Sequence, residues 1–521
     1  MAETASWTTR VDEAISDFAD PIATRLSDIV FYTIPLGDTE FPWIVGWLVV
    51  AGLVFTAYFG FAQVRHLRTA FNLVRGKYEQ KDAPGEVSHF RALTSAVSGT
   101  VGLGNIAGVA IAVTIGGPGA TFWMILCGFL GMASKFVECT LGVKYREVHA
   151  DGTVSGGPMH YLRKGLAERG LGTLGKVLAA GAAVALMFFA FFGGNLFQVN
   201  QSLEQLQSVT GKEDSVFATS GGALAFGVLL AVLVALVLVG GMRSIGAVTS
   251  RLVPAMAVIY VGACLTVILV NITAVPSAIA TIFEGAFAPE GVAGGVIGAL
   301  IVGFQRAAFS NEAGIGSAPI AHSAVKTKRP ATEGVVAMLE PFIDTVVICT
   351  MTALTIVIAR TPSWEAAREA AADGGAPESG VALTSDAFET VISWFPYVLT
   401  VAVLLFAIST IITWGYYGLK AWTYFFGRSR ASETTYNVLF SLIVVAGALM
   451  SLGSLVAMAD SALFAAAVFN IIGLYILAPV VKKELRKVID YTRRRDAGET
   501  EEQIEADEAG EVGGEPSLAQ R

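Results

Sequence analysis

Apolar runs of about twenty residues recur along this chain, separated by short polar stretches, and that length predicts helices that span a bilayer. The pattern predicts an accessory span at Trp43–Gln63 and then ten core spans. These are helix 1 at Ala92–Thr114, helix 2 at Thr121–Val143, helix 3 at Val177–Leu206, helix 4 at Gly222–Gly241 and helix 5 at Leu252–Asn271. Helix 6 follows at Gly291–Ile315, helix 7 at Thr332–Ala359, helix 8 at Val391–Tyr417, helix 9 at Asn437–Met458 and helix 10 at Ala462–Val481. Upstream, Ile15, Phe18, Ile22, Leu26 and Ile29 recur at helical spacing among polar residues, which predicts an amphipathic helix on the membrane face or on the protein.

Two spans are interrupted by glycine. Helix 1 contains Ser98-Gly-Thr-Val-Gly-Leu-Gly-Asn105, and helix 6 contains Phe309-Ser-Asn-Glu-Ala-Gly-Ile-Gly316. Each glycine weakens a helix by roughly 1 kcal/mol relative to alanine. A loosened backbone in hydrocarbon exposes N–H and C=O groups that lipid cannot satisfy, so it persists only where it is buried in protein or lines a polar cavity. Close packing through small residues is the other reading of such glycines, and Gly104 and Gly108 have that spacing. The two interrupted spans stand five apart. An odd separation makes them run in opposite directions, as in an inverted repeat of five plus five helices with a binding site near the midplane.

Composition agrees with an all-α polytopic membrane protein of about eleven spans. Only 15% of the 521 residues are charged and 54% are hydrophobic, with mean hydropathy +0.62, whereas a soluble domain carries roughly 25% charged residues. Of the 35 Lys and Arg, 28 fall in alternate segments that would then be cytoplasmic, and 5 in the segments between. The remaining two, Lys135 and Arg306, lie inside spans. By the positive-inside rule this places the N-terminus outside and the C-terminus in the cytoplasm. The expected organisation is an external amphipathic segment over 1–42, the accessory helix over 43–63, repeats over 92–271 and 291–481, and a cytoplasmic tail over 482–521. That tail is basic at Arg493–Arg495, then acidic and expected to be disordered. No cleaved signal is evident at the N-terminus, and no basic patch with interleaved aromatics points to nucleic acid. Cys127, Cys139, Cys264 and Cys349 all lie in apolar spans and read as small core residues.

Several polar groups inside the spans could do chemistry. Gln198 in helix 3 offers a donor and an acceptor suited to an amino acid headgroup, or to an ordinary interhelical hydrogen bond. Ser409 and Thr410 in helix 8 could form a neutral oxygen cage of the kind sodium prefers, or could bond back to their own helix turn. Trp414, one turn beyond Thr410, could wall a small pocket or pack. Lys135 and Glu138 stand i, i+3 and can pair, while Arg306 and Glu312 flank the helix 6 break. Glu340 and Asp344 complete the charges in or near spans, where gating or structural ion pairs compete with substrate contact. The five histidines fall in predicted loops or near span ends, and no metalloprotease, P-loop or Gly-x-Ser-x-Gly motif occurs, so an enzyme is not expected.

The stretches Ser98–Gly108, Thr153-Val-Ser-Gly-Gly-Pro-Met-His-Tyr161, Phe309–His322 and Ser409–Gly418 together resemble the alanine or glycine:cation symporters, also called sodium:alanine symporters. The resemblance runs from the accessory helix to helix 10. It implies a leucine-transporter-like five-plus-five fold with broken helices 1 and 6. It also implies symport of a small neutral amino acid, alanine or glycine, with sodium, by alternating access in a bacterial or archaeal plasma membrane, without a cofactor. Carried onto this chain, it puts carbonyls of Ser98 and Val101 with Ser409 and Thr410 around sodium, and the amides near Leu103 and Gly104 on the substrate carboxylate. The expected substrate segment is Gly99, Thr100, Gly102, Leu103, Gly104 and Asn105. Gln198, Ser310, Asn311 and Thr410 join it, and Trp414 closes the side-chain end. Thr413 stands where that family leads one to expect glycine. Proton coupling is the near alternative; a channel, an amino acid sensor and a membrane enzyme are the rivals from other classes.

Overall fold

The computed structural model describes residues 21, 24–36, 39–80, 82–288, 295–373, 380–450 and 453–513. Among these, seven helices are long and apolar enough to cross a membrane, at Ala120–Lys144, Gly172–Val209, Ser220–Leu238, Gly241–Val270, Pro330–Ala359, Phe395–Phe426 and Met458–Asp496. An eighth arises if His89–Thr100 and Leu103–Ile115, bent by 59°, count as one broken span. The apolar runs thus fold as helices because only a helix satisfies every backbone group within its own segment. Leu236, Val258 and Leu442 remain largely exposed on the outer helices, as side chains facing lipid would.

Element ends depart from the expected ones where local chemistry intervenes. The accessory helix stops at Tyr58, before Gly60 (φ 63°) and Phe61 (φ 58°), whose left-handed backbone cannot continue it. Helix 8 runs on to Phe426, and helix 9 begins at Arg430, where the Ser429 hydroxyl caps it. Helix 10 extends from Gly453 to Asp496. Its added turns are amphipathic, with Leu485, Val488 and Tyr491 buried at i, i+3 spacing. Of the amphipathic N-terminal segment, Ile15, Phe18 and Ile22 lie outside the described residues. Ile29 is exposed, whereas Val30 is buried and Phe31 sets its ring against Phe464. The first four residues expected in helix 6, 291–294, also lie outside the described residues.

The tail requires a correction. Residues Glu501–Gly513, expected to be disordered, form a helix. Glu505 pairs with Lys328 at 2.7 Å, Glu508 with Arg329 at 2.8 Å, and Glu501 accepts from Gln80 at 2.7 Å. An acidic segment without aromatics cannot bury enough apolar surface to fold alone, but here a basic loop distant in sequence supplies its partners. The proposed Lys135–Glu138 pair also gives way. Lys135 pairs with Glu340 at 2.9 Å, and Glu138 accepts from Asn470 at 2.6 Å. Both partners come from other helices packed on helix 2, where the desolvated charges need closer compensation than their own turn provides. Arg306 pairs with Asp460 at 2.5 Å.

Small residues let the helices approach closely. A Cβ on Gly128 would sit 2.8 Å from Thr345 Cβ, and one on Gly142 2.7 Å from Pro319 Cβ. On the basic face, the segment after helix 6 pairs with the segment before helix 1: Val87 and Val325 form a parallel bridge, and Lys326 N donates to Val87 O at 2.8 Å. Arg146 clasps this joint. Its guanidinium donates to the carbonyls of Ser323, Val325, Pro84 and Thr327 at 2.6–2.9 Å.

Candidate functional site

Helix 1 breaks where the sequence places its glycines. His89–Thr100 is α-helical, Val101 and Gly102 are extended, Leu103–Asn105 make a 3-10 turn, and Ala107–Ile115 resume the helix. Asn105 holds the break from both ends. Its Oδ1 accepts from Gly102 N at 2.8 Å, and its Nδ2 donates to Asp344 Oδ1 at 2.7 Å. Helix 6 breaks after Asn311. Glu312 takes φ 55° and Gly314 and Gly316 take φ 89° and 94° before a short helix at Ala318–His322. A left-handed backbone at a buried glutamate is uncommon and persists only where its surroundings over-determine it. Here the Glu312 carboxylate accepts from Ser317 Oγ at 2.5 Å and Trp414 Nε1 at 3.2 Å.

The oxygens expected around a cation converge between helices 1 and 8. Ser98 Oγ donates to the Ser409 carbonyl at 2.9 Å, Thr410 Oγ1 donates to the Ser98 carbonyl at 3.1 Å, and Thr413 Oγ1 lies 3.1 Å from Ser98 Oγ. All four residues are at most 2% exposed, and every one of these oxygens is neutral. Thr413 therefore belongs to this set. Ser409 differs: its hydroxyl bonds back to Phe406 O at 2.9 Å, so it is its carbonyl that faces helix 1. Val101 is buried at the end of the first half-helix.

The substrate candidates divide. A Cβ on Gly102 would meet Thr410 Oγ1 at 2.8 Å and Gln198 Oε1 at 3.5 Å, so these three converge. Gln198 Nε2 donates to Gly193 O at 3.1 Å, while its buried Oε1 has no hydrogen-bond partner. Gly104 faces Ser310 and Phe309 at about 3.5 Å. Leu103 is buried beside it. Gly99 faces Thr413 and Tyr417 instead, and Thr100 bonds back to its own helix. Asn311 turns away, donating to Thr345 Oγ1 and accepting from Ala313 N, each at 3.0 Å. Trp414 is packed under helix 3: Gly194 has no room for a Cβ beside the indole, and Phe189 meets it edge-on at 4.4 Å.

Sequence reasoning did not foresee the part played by Asp344. It lies in a π-helical stretch of helix 7, Phe342–Cys349. There its carboxylate accepts from Asn105, from Ser310 Oγ at 2.9 Å and from Thr345 Oγ1 at 2.7 Å. One acid thus links the two broken helices. A π-turn within an α-helix often marks a functional site, but nothing in the local sequence announces this one.

Two broken helices whose freed backbone groups meet buried hydroxyls and an acid, inside an apolar helical body, are the arrangement in which multi-pass membrane transporters hold their ligands. The model of the sodium:alanine symporter family matches residues 33–506, and the chain belongs to that family. It is 38% identical over 457 residues to the sodium/alanine symporter AgcS of Methanococcus maripaludis, covering 88% of this chain and 96% of that protein. It is 36% identical over 454 residues to the amino-acid carrier protein AlsT of Bacillus subtilis, covering 87% and 90%. The crystal structure of MhsT in complex with L-phenylalanine matches with a TM-score of 0.53 at 17% identity, over 76% of this chain and 98% of that one, a likeness of fold alone. Cation-coupled amino acid symport is the activity class of this family.

Proposed function

We propose that this protein couples inward sodium movement to uptake of alanine, glycine or a similarly small amino acid by alternating access. The observation that carries the reading is the buried junction of Ser98, Ser409, Thr410 and Thr413, in which neutral oxygens converge next to a helix break. Hard cations favour such oxygen ligands. Sodium there would join helix 1 to helix 8 and order the adjoining segment around Gly102, so that each ligand raises the affinity for the other by the same factor. The amides of Leu103 and Gly104, at the start of the second half-helix, would receive the carboxylate. Gln198 Oε1, buried without a partner, would accept from the ammonium group. Eleven spans, with repeats over 92–271 and 291–481 rocking about this midplane site, are the accompanying architecture.

Asp344 favours one second reading. A buried carboxylate shared by both broken helices could take up a proton in place of, or alongside, a metal cation. Uptake of labelled alanine and glycine into proteoliposomes, with sodium, lithium or proton gradients imposed in turn, tests both readings. Saturable accumulation driven by sodium is expected. Accumulation driven by a proton gradient alone would transfer the coupling to Asp344, and flux without saturation would indicate a channel.

A further inference from the structure

The C-terminal part of the motif Thr153–Tyr161 braces the helix 6 break: Pro158 lies against Gly316, and Tyr161 donates to Asn470, which in turn donates to the Gly314 carbonyl at 2.9 Å. The motif also borders a cavity of about 470 Å³ on the basic face, between the hairpin Glu147–Val148/Val154–Ser155, the helix Pro158–Glu168 and the end of helix 8. Four cations line this cavity, Arg163, Lys164, Lys420 and Arg428, against a single carboxylate, Glu147. That carboxylate is already engaged: it pairs with Lys164 at 2.9 Å and lies 3.5 Å from His160 Nδ1. These neighbours, His160 first, hold its carboxyl well below the usual range.

The other cations are not neutralised to the same degree. Lys420 Nζ donates to the Val154 carbonyl at 2.8 Å and to Ser155 Oγ at 3.3 Å, both neutral acceptors. Arg428 reaches Thr153 Oγ1 at 2.7 Å and Asp151 at 3.3 Å. Among the described residues, Arg163 has no acidic partner. With Lys420 held by neutral oxygens and Arg163 without an acidic partner, the four lining cations outnumber the carboxylates that pair with them, and an anion entering the recess regains the interaction that the protein leaves unmade. The volume lies within the range of small-ligand sites. Phe425 and Phe426 are 42% and 58% exposed at the same helix end, next in sequence to the lining residue Tyr424, and basic pockets between membrane helices on the cytoplasmic side hold phosphorylated headgroups.

We propose that this cavity binds a phosphate-bearing anion, supplied either as free phosphate or as the headgroup of an anionic phospholipid. An anion there would touch the hairpin, the Pro158–Glu168 helix and helix 8 together, and so tie the end of the helix that carries Ser409 and Thr410 to a neighbouring element.

The test uses the purified full-length protein. Native mass spectrometry against phosphatidylglycerol and phosphatidylcholine reads the lipid source, and calorimetric titration with inorganic phosphate reads the free anion. Arg163→Gln removes a charge that holds no structural bond, and Arg428→Gln serves as a second variant; monodispersity and Tm check folding. Each substitution should weaken binding about fivefold. Preferential, variant-sensitive retention of phosphatidylglycerol assigns the site to lipid, and variant-sensitive heat with phosphate assigns it to the free anion. Equal retention of both lipids by wild type and variants, with no saturable heat from phosphate, overturns the proposal.

Discussion

Thr410 and Ser409 are neighbours with unequal roles. The Thr410 hydroxyl reaches across to the Ser98 carbonyl, whereas the Ser409 hydroxyl is spent on its own helix at Phe406 O. Thr410→Val should therefore raise the sodium concentration for half-maximal uptake about tenfold, the value of one buried hydrogen-bonding or ion-binding group. Ser409→Ala should shift it much less, and sodium titration of alanine uptake measures both. Trp414 tests the size of the pocket. Its indole lies on Phe189 and Gly194 and donates to Glu312. Trp414→Ala should relax discrimination against leucine by about 1–3 kcal/mol, seen as graded competition with labelled glycine; an unchanged ranking of glycine, alanine, valine and leucine would remove Trp414 from the pocket wall. The polar residues here are legible in the sequence because hydroxyls and amides in apolar runs need a reason to be there. Their direction is not: the same Thr-x-x-x-Trp spacing fits a side chain that faces the site or one that braces a distant glutamate.

At the scale of elements, the broken helices are the most legible feature, since glycine weakens a helix wherever it falls. The π-turn of helix 7 is not legible, because the apolar pattern of Phe342–Cys349 reads as a plain span and the partners of Asp344 lie 239 and 34 positions away at Asn105 and Ser310. The hydrogen bonds to Asp344 separate charge from shape. Asp344→Asn keeps an acceptor for Asn105 and Ser310 but removes the charge, so transport should fall at least tenfold while Tm changes by a few degrees. Asp344→Ala takes the carboxylate from Asn105, Ser310 and Thr345 in a buried site, a cost of about 1–3 kcal/mol for each group left unsatisfied, and should lower Tm as well as transport. Uptake rates with thermal unfolding of the purified variants distinguish the two. The tail helix illustrates another limit of sequence reading. Composition describes what a segment can do by itself, and Glu501–Gly513 folds on Lys328, Arg329 and Gln80, which no local pattern connects to it.

For the whole molecule, the charge bias makes a prediction independent of the site. With 28 Lys and Arg in the segments expected to be cytoplasmic and 5 in those between, a cysteine introduced at Arg368 should be labelled from outside intact cells, and one at Arg169 should be protected until the membrane is opened. The reverse pattern would invert the topology. The joint between Val87 and Val325 bears on a different property. Because Arg146 fastens four carbonyls around that bridge, the start of one broken helix and the far end of the other are tied together and are expected to move in step. A carrier whose two halves could open out of step would short-circuit the gradient that drives it. Arg146→Lys, whose ammonium has three donors in place of a planar fork, cannot span four carbonyls. Its expected phenotype is slippage: sodium entering amino-acid-free proteoliposomes faster than through wild type, with alanine binding retained. On this view the guanidinium far from the substrate sets the efficiency of the machine rather than its affinity.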